Sequence, residues 1–179
     1  MASSNHQGMG NSLKVRLPSL TKAAVEWAKK MEREGQSKGK PLAFWQVADA
    51  LDVGVIAPDR VRVCLVDDMP QIGDPELSAV AAEKGFLGRD TLGITLGYVI
   101  FMRKGHAGLR ALLRHELRHV AQCEKAGGLD SFIPAYLTEI VSFGYRQAPY
   151  EVDARQHEVR KFRGKDCHEQ QPAASTSQH

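Results

Sequence analysis

Apolar residues along this chain follow two periods, and the switch between them divides it into elements. Leu20, Ala24, Trp27 and Met31 recur at helical spacing, which predicts a helix capped at Ser19 or Thr21 and ending near the polar linker from Gly35 to Pro41. A short helix is expected from about Phe44 to Leu51. After the Pro58-Asp59 turn, Val61 to Val66 alternates as a strand does, and Asp67-Asp68-Met69-Pro70 ends it. Asp74 and Pro75 open a further helix to about Lys84. Gly93 to Met102 is rich in β-branched and aromatic residues and reads as a single strand. Leu109, Leu112, Leu113, Leu117 and Val120 then share one helical stripe between about Ala107 and Lys125, which Gly127-Gly128 stops. Asp130 or Ser131 would cap an apolar helix from about Phe132 to Phe143, closed by Gly144. Pro149 fits the first position of a last helix reaching about Phe162.

This order of elements predicts an α+β fold, a small sheet packed on several helices. The chain has 179 residues and 42% apolar content, enough for the core of one domain over residues 12–162. Residues 1–11 and 163–179 are polar and poor in apolar side chains, so both are expected to be disordered tails.

The helix from Ala107 carries His115-Glu116-Leu117-Arg118-His119. A random order of this composition would contain an HExxH pattern only about 2% of the time, so the spacing is informative. Residues i and i+4 share a helical face, so both imidazoles can reach one ion, with Glu116 beside its open position. The expected chemistry is that of a zinc hydrolase, in which Glu116 takes a proton from an activated water. The alternative is a pair of surface histidines on an amphipathic helix, flanked by a solvated row of Arg110, Arg114 and Arg118.

A catalytic zinc site normally has three protein ligands, and two are in hand. Glu124 sits too near the end of the same helix to turn back, and His168 lies in the expected tail. Glu139, on a helix that looks buried, suits a partner to a ligating imidazole. Glu151, Asp153, His157 and Glu158 remain open as the third ligand.

The run HELRHVAQ, followed after an intervening helix by Pro149-Tyr150-Glu151-Val152-Asp153-Ala154, resembles the gluzincin zinc metallopeptidases, particularly the compact minigluzincins. The resemblance spans roughly Gly93 to Arg160, and nothing before Gly93 contributes to it. It implies a zincin-like domain with the motif helix central, and zinc bound by His115, His119 and Glu151. It also implies Glu116 as general base, and a small Ala154 that lets the last helix pack close. The chain departs from the larger gluzincins four residues after Glu151, where Arg155 replaces an acidic residue that orients a histidine; Asp153 or Glu139 would have to do that work.

Peptide hydrolysis also needs a donor for the developing oxyanion, and Tyr145 and Tyr150 are the nearest downstream phenols. The strand from Gly93 to Met102 is expected at a sheet edge beside the metal, where an extended peptide or protein substrate could add as a further strand. The second reading is a catalytically silent or partner-regulated binding module, its zinc closed off by a fourth ligand such as His157.

Charge and cysteine usage narrow the setting. A net charge of +3 without long like-charge runs gives no case for nucleic acid. Cys64, Cys123 and Cys167 form no CxxC pair and read as reduced thiols. With no apolar run long enough to span a bilayer and no signal-like start, a cytoplasmic protein without membrane attachment is expected.

Overall fold

The computed structural model describes residues 6–83, 88 and 90–159, with side chains from Pro18 onward. Its architecture is α+β. Helix α1 (His6–Lys38), the short strand β1 (Lys40–Pro41), helix α2 (Phe44–Asp52), strand β2 (Arg62–Val66) and helix α3 (Pro75–Glu83) come first. Strands β3 (Gly93–Leu96) and β4 (Val99–Arg103) and helices α4 (Arg110–Ala126), α5 (Leu129–Phe143) and α6 (Pro149–Gln156) complete it. The sheet runs β1-β2-β4-β3, with β2 and β4 parallel and the outer pairs antiparallel.

The pleat sorts the side chains of this sheet into two cores. Ile94, Leu96, Val99 and Phe101 face a cluster with Leu20, Ala24 and Ala28 of α1 and with α5. Ile100 and Met102 face the other way, onto Leu113, Leu117 and Val120 of α4 and Ala50 of α2. The sheet is therefore covered by α1 on one face and by α4 and α2 on the other, which puts the HExxH helix against the sheet.

Several boundaries differ from the sequence reading. Helix α1 begins at His6, inside the expected tail, because the stretch from Leu13 to Leu17 holds good helix formers that carry it back past Ser19. At its other end α1 continues through Gly35 to Lys38. Gly35 lies against the sheet, where an added Cβ would sit 2.3 Å from Val99 Cγ1, so this glycine allows close packing rather than opening a linker.

The run from Gly93 to Met102 is a hairpin, not one strand. Gly97, at φ +63°, turns the chain between β3 and β4, a left-handed conformation that glycine adopts without strain. Leu109, expected on the buried stripe, precedes α4 and is 49% exposed. Asp74 caps α3 as expected, its Oδ1 accepting from Leu77 N–H at 2.8 Å.

Helix α4 ends in a Schellman motif: Gly128 N–H donates to the Cys123 carbonyl and Gly127 N–H to that of Glu124, with Gly127 at φ +89°. Helix α5 starts at Leu129 behind Gly128, ahead of the expected caps Asp130 and Ser131. Helix α6 ends at Gln156 rather than near Phe162. The expected tail at 163–179, with Cys167 and His168, lies outside the described residues.

Candidate metal centre

Helix α4 places His115 and His119 on one face, their Nε2 atoms 3.1 Å apart. Helix α6 brings Glu151 across to them: Oε2 lies 3.4 Å from His115 Nε2 and Oε1 3.2 Å from His119 Nε2. One ligand atom from each of these residues can be chosen within 4.8 Å of the others, a grouping suited to a metal ion. Three features of the chain bring Glu151 there. Pro149 starts α6 at its first turn, Ala154 is fully buried on that helix, and Glu139 Oε2 of α5 accepts from Tyr150 N–H at 2.8 Å, tying down the α6 start.

The partners of the imidazoles fix their tautomers. Gln122 Nε2 donates to Asp153 Oδ2 at 2.7 Å and to the Tyr150 carbonyl at 2.9 Å, so its Oε1, 2.7 Å from His119 Nδ1, must accept. His119 therefore carries its proton on Nδ1 and turns the lone pair of Nε2 toward Glu151. His115 does the same through Glu158, whose Oε1 lies 3.1 Å from Nδ1. With both rings neutral, two imidazole lone pairs therefore converge on the Glu151 carboxylate. Glu151 is 1% exposed, and its buried Oε2 accepts no hydrogen bond, although Arg155 Nη1 stands 3.5 Å away. Leaving such an oxygen unsatisfied is costly, and a cation of borderline softness such as zinc suits this donor set.

The local electrostatics favour positive charge. Burial opposes ionisation of Glu151, but His115, His119 and the Tyr136 hydroxyl, which donates to Oε1 at 2.8 Å, outweigh it and hold the carboxyl well below the usual range. Burial likewise opposes protonation of His115, yet Glu151, Glu116 and Glu158 raise its pKa.

Glu116 is set differently. Burial pushes its pKa up against the pull of both imidazoles and Thr95. Thr95 Oγ1 on β3 lies 2.7 Å from Glu116 Oε2 and 2.9 Å from its carbonyl oxygen. Gly93, two residues earlier on the same face, leaves room for this carboxylate, since an added Cβ would stand 2.6 Å from Oε1.

The remaining candidates separate cleanly. Tyr145 lines the cleft over the centre, its phenol pushed up by burial and by Glu151 and Glu116. Tyr150 is outside the cleft lining; its ring packs on Phe132 and Tyr136, with centroids 5.1 and 6.4 Å away. Asp153 is committed to Arg118 and Gln122, so it reaches His119 through an amide rather than directly. His157 Nδ1 is 2.8 Å from the Asp153 carbonyl and adds no fourth ligand. Glu124 accepts from Ile56 and Ala57 N–H instead.

Sequence reasoning missed Thr95, Gln122 and Tyr136. Gln122 alone left a trace, as the polar residue one turn after His119. The arginine row is only partly solvated: Arg110 is exposed, yet it and the buried Arg114 bind Asp49, Arg114 also binds Asp52, and the half-buried Arg118 binds Asp153.

The centre opens into a cleft of about 670 Å³. Its polar lining comes from Thr95 of β3, from His115, Glu116 and His119 of α4 and from Glu151, with Arg146, Arg155 and Glu158 also present. Apolar lining comes from Leu20, Ala24 and Trp27 of α1 and from Leu77, Val80 and Ala81 of α3. Among the described residues, no helix is long and apolar enough to cross a membrane. No family model, curated protein or solved structure matches this chain.

Proposed function

We propose that the chain is a zinc-dependent metallopeptidase or related amide hydrolase on a zincin-like scaffold of the compact gluzincin kind, with His115, His119 and Glu151 as ligands. The observation that carries this reading is the meeting of two imidazoles and the buried Glu151 carboxylate, whose Oε2 accepts no hydrogen bond, beside a second buried carboxylate, Glu116. Zinc in this position supplies a Lewis acid that acidifies water and polarises the scissile carbonyl.

The residues of the chain do the rest. Glu116, with its raised pKa, takes the proton from the attacking water and delivers it to the leaving nitrogen, so that the C–N bond breaks without releasing a bare amide anion. Thr95 fixes the carboxylate between these transfers. Tyr145 donates to the oxygen that gains charge as the carbonyl carbon becomes tetrahedral. Substrate main chain lies along β3, whose outer edge no other strand pairs among the described residues. Cys64 and Cys123 are buried and free, which suits work in the reducing cytoplasm.

The test is metal content and turnover together. Wild type is expected to hold near-stoichiometric zinc, lost in both His119→Ala and Glu151→Ala. Glu116→Gln is expected to keep zinc and lose at least ~100-fold in turnover of peptide or amide substrates. Undiminished hydrolysis by metal-loaded Glu116→Gln, or zinc retained in Glu151→Ala, would overturn the assignment.

A further inference from the structure

We infer that the part of the cleft walled by α1 and α3 holds a long unbranched alkyl chain, making the substrate of the site an N-acyl amide; this rests on the hydrolase reading for the reaction, though not for the binding. At about 670 Å³ the cleft matches whole small-molecule ligands, and a single leucine or phenylalanine side chain would leave most of it unfilled. The wall contributed by α1 and α3 carries one polar group, and it is taken: Trp27 Nε1 donates to the Gln71 carbonyl at 3.0 Å.

Main-chain groups of α1, α3 and α5 are closed within their own helices. A peptide backbone entering between them would bury N–H and C=O groups without partners, at a cost that an alkyl chain does not incur. Strand β3 offers an unpaired strand edge to a main chain, which the helical walls do not. The lining beside β3 and the metal centre therefore suits an amide, and the lining from α1 and α3 a saturated tail. In the reaction, the water oxygen bonds to the acyl carbon and the C–N bond breaks. The amine leaves with one water proton, and the long-chain acid releases the other as it ionises.

The experiment is calorimetric titration of the full chain with N-acylglycinamides of acetyl, octanoyl and dodecanoyl length and with dodecanoic acid. Wild type is compared with Val80→Trp and Ala24→Phe, and folding is checked by thermal melting. Affinity is expected to rise about fourfold per added methylene while the tail enters the chamber, and folded variants should weaken dodecanoyl binding at least ~10-fold. Should either variant fail to fold, the chain-length series in wild type decides alone.

Affinity independent of chain length, or unchanged in both folded variants, overturns the inference. Binding of dodecanoic acid with exclusion of its glycinamide also overturns it, leaving a free fatty-acid site. Chain-length-dependent binding in a protein that takes no zinc upholds the alkyl chamber and removes the hydrolase reading. Stoichiometric zinc without alkyl binding does the reverse.

Discussion

Glu116 owes its setting to two small residues on β3, Thr95 and Gly93, and this makes one methyl group a sensitive probe. Gly93→Ala would put a Cβ 2.6 Å from Glu116 Oε1, so the carboxylate must swing away from Thr95. Turnover is expected to fall by ~10-fold or more, with zinc content unchanged, because the atoms nearest the added Cβ belong to Glu116 and not to the proposed ligands; steady-state kinetics beside metal analysis checks this. The two candidate tyrosines divide as sharply. Tyr145→Phe should lower kcat by ~100-fold or more through loss of an oxyanion donor. Tyr150→Phe should leave kcat nearly unchanged, since that ring sits outside the cleft. Equal losses in the two variants would remove Tyr145 from the mechanism.

At the level of elements, α4 is held by its charges as well as by its apolar stripe. Arg114, 3% exposed, donates to Asp49, Asp52 and the His157 carbonyl, while Arg110 forks onto Asp49. This ties α4 to α2 and to the end of α6, the two sides from which the centre could loosen. Arg110, against the opposing effect of burial and with help from Arg114, lowers the Asp49 pKa. The contribution of this carboxylate is therefore complete above the ordinary carboxylate range, near pH ~4, and is lost as pH falls through the lower folded-state value. Asp49→Asn should cost about 3 kcal/mol at pH 7, the low end for breaking a buried pair because Asp52 still holds Arg114. Urea unfolding across pH should show that difference shrinking on the acid side; a constant difference would mean the ion pair does not carry it.

Over the whole molecule, the proposed ligands come from two helices that meet only in the folded chain, so metal binding would be linked to folding. Zinc at about 100 times its dissociation constant should add ~2.7 kcal/mol, raising Tm by roughly 5–10 °C for a chain of this size. Removal by a chelator should reverse the shift. Calorimetry is the check, and a Tm indifferent to zinc in wild type would show that the folded chain does not bind it selectively.

The sequence by itself determined the helices, because their apolar stripes and their Pro and Gly stops are local, and it determined that His115, Glu116 and His119 share a helical face. It placed Glu151 only by resemblance, since no local pattern separates that carboxylate from Asp153, His157 or Glu158. Tertiary structure decided among these: α6 packs so that Glu151 faces the imidazoles, Glu158 takes the far nitrogen of His115, and Asp153 goes to Arg118 and Gln122. Gly35 reads as a break and Gly93 as a bulge until the partner that each must admit, Val99 or Glu116, is in view. The arginine row reads as solvated because Asp49, which binds two of its members, is more than sixty residues away in the chain. Periodicity records which way a side chain points, and only the fold decides what it meets there.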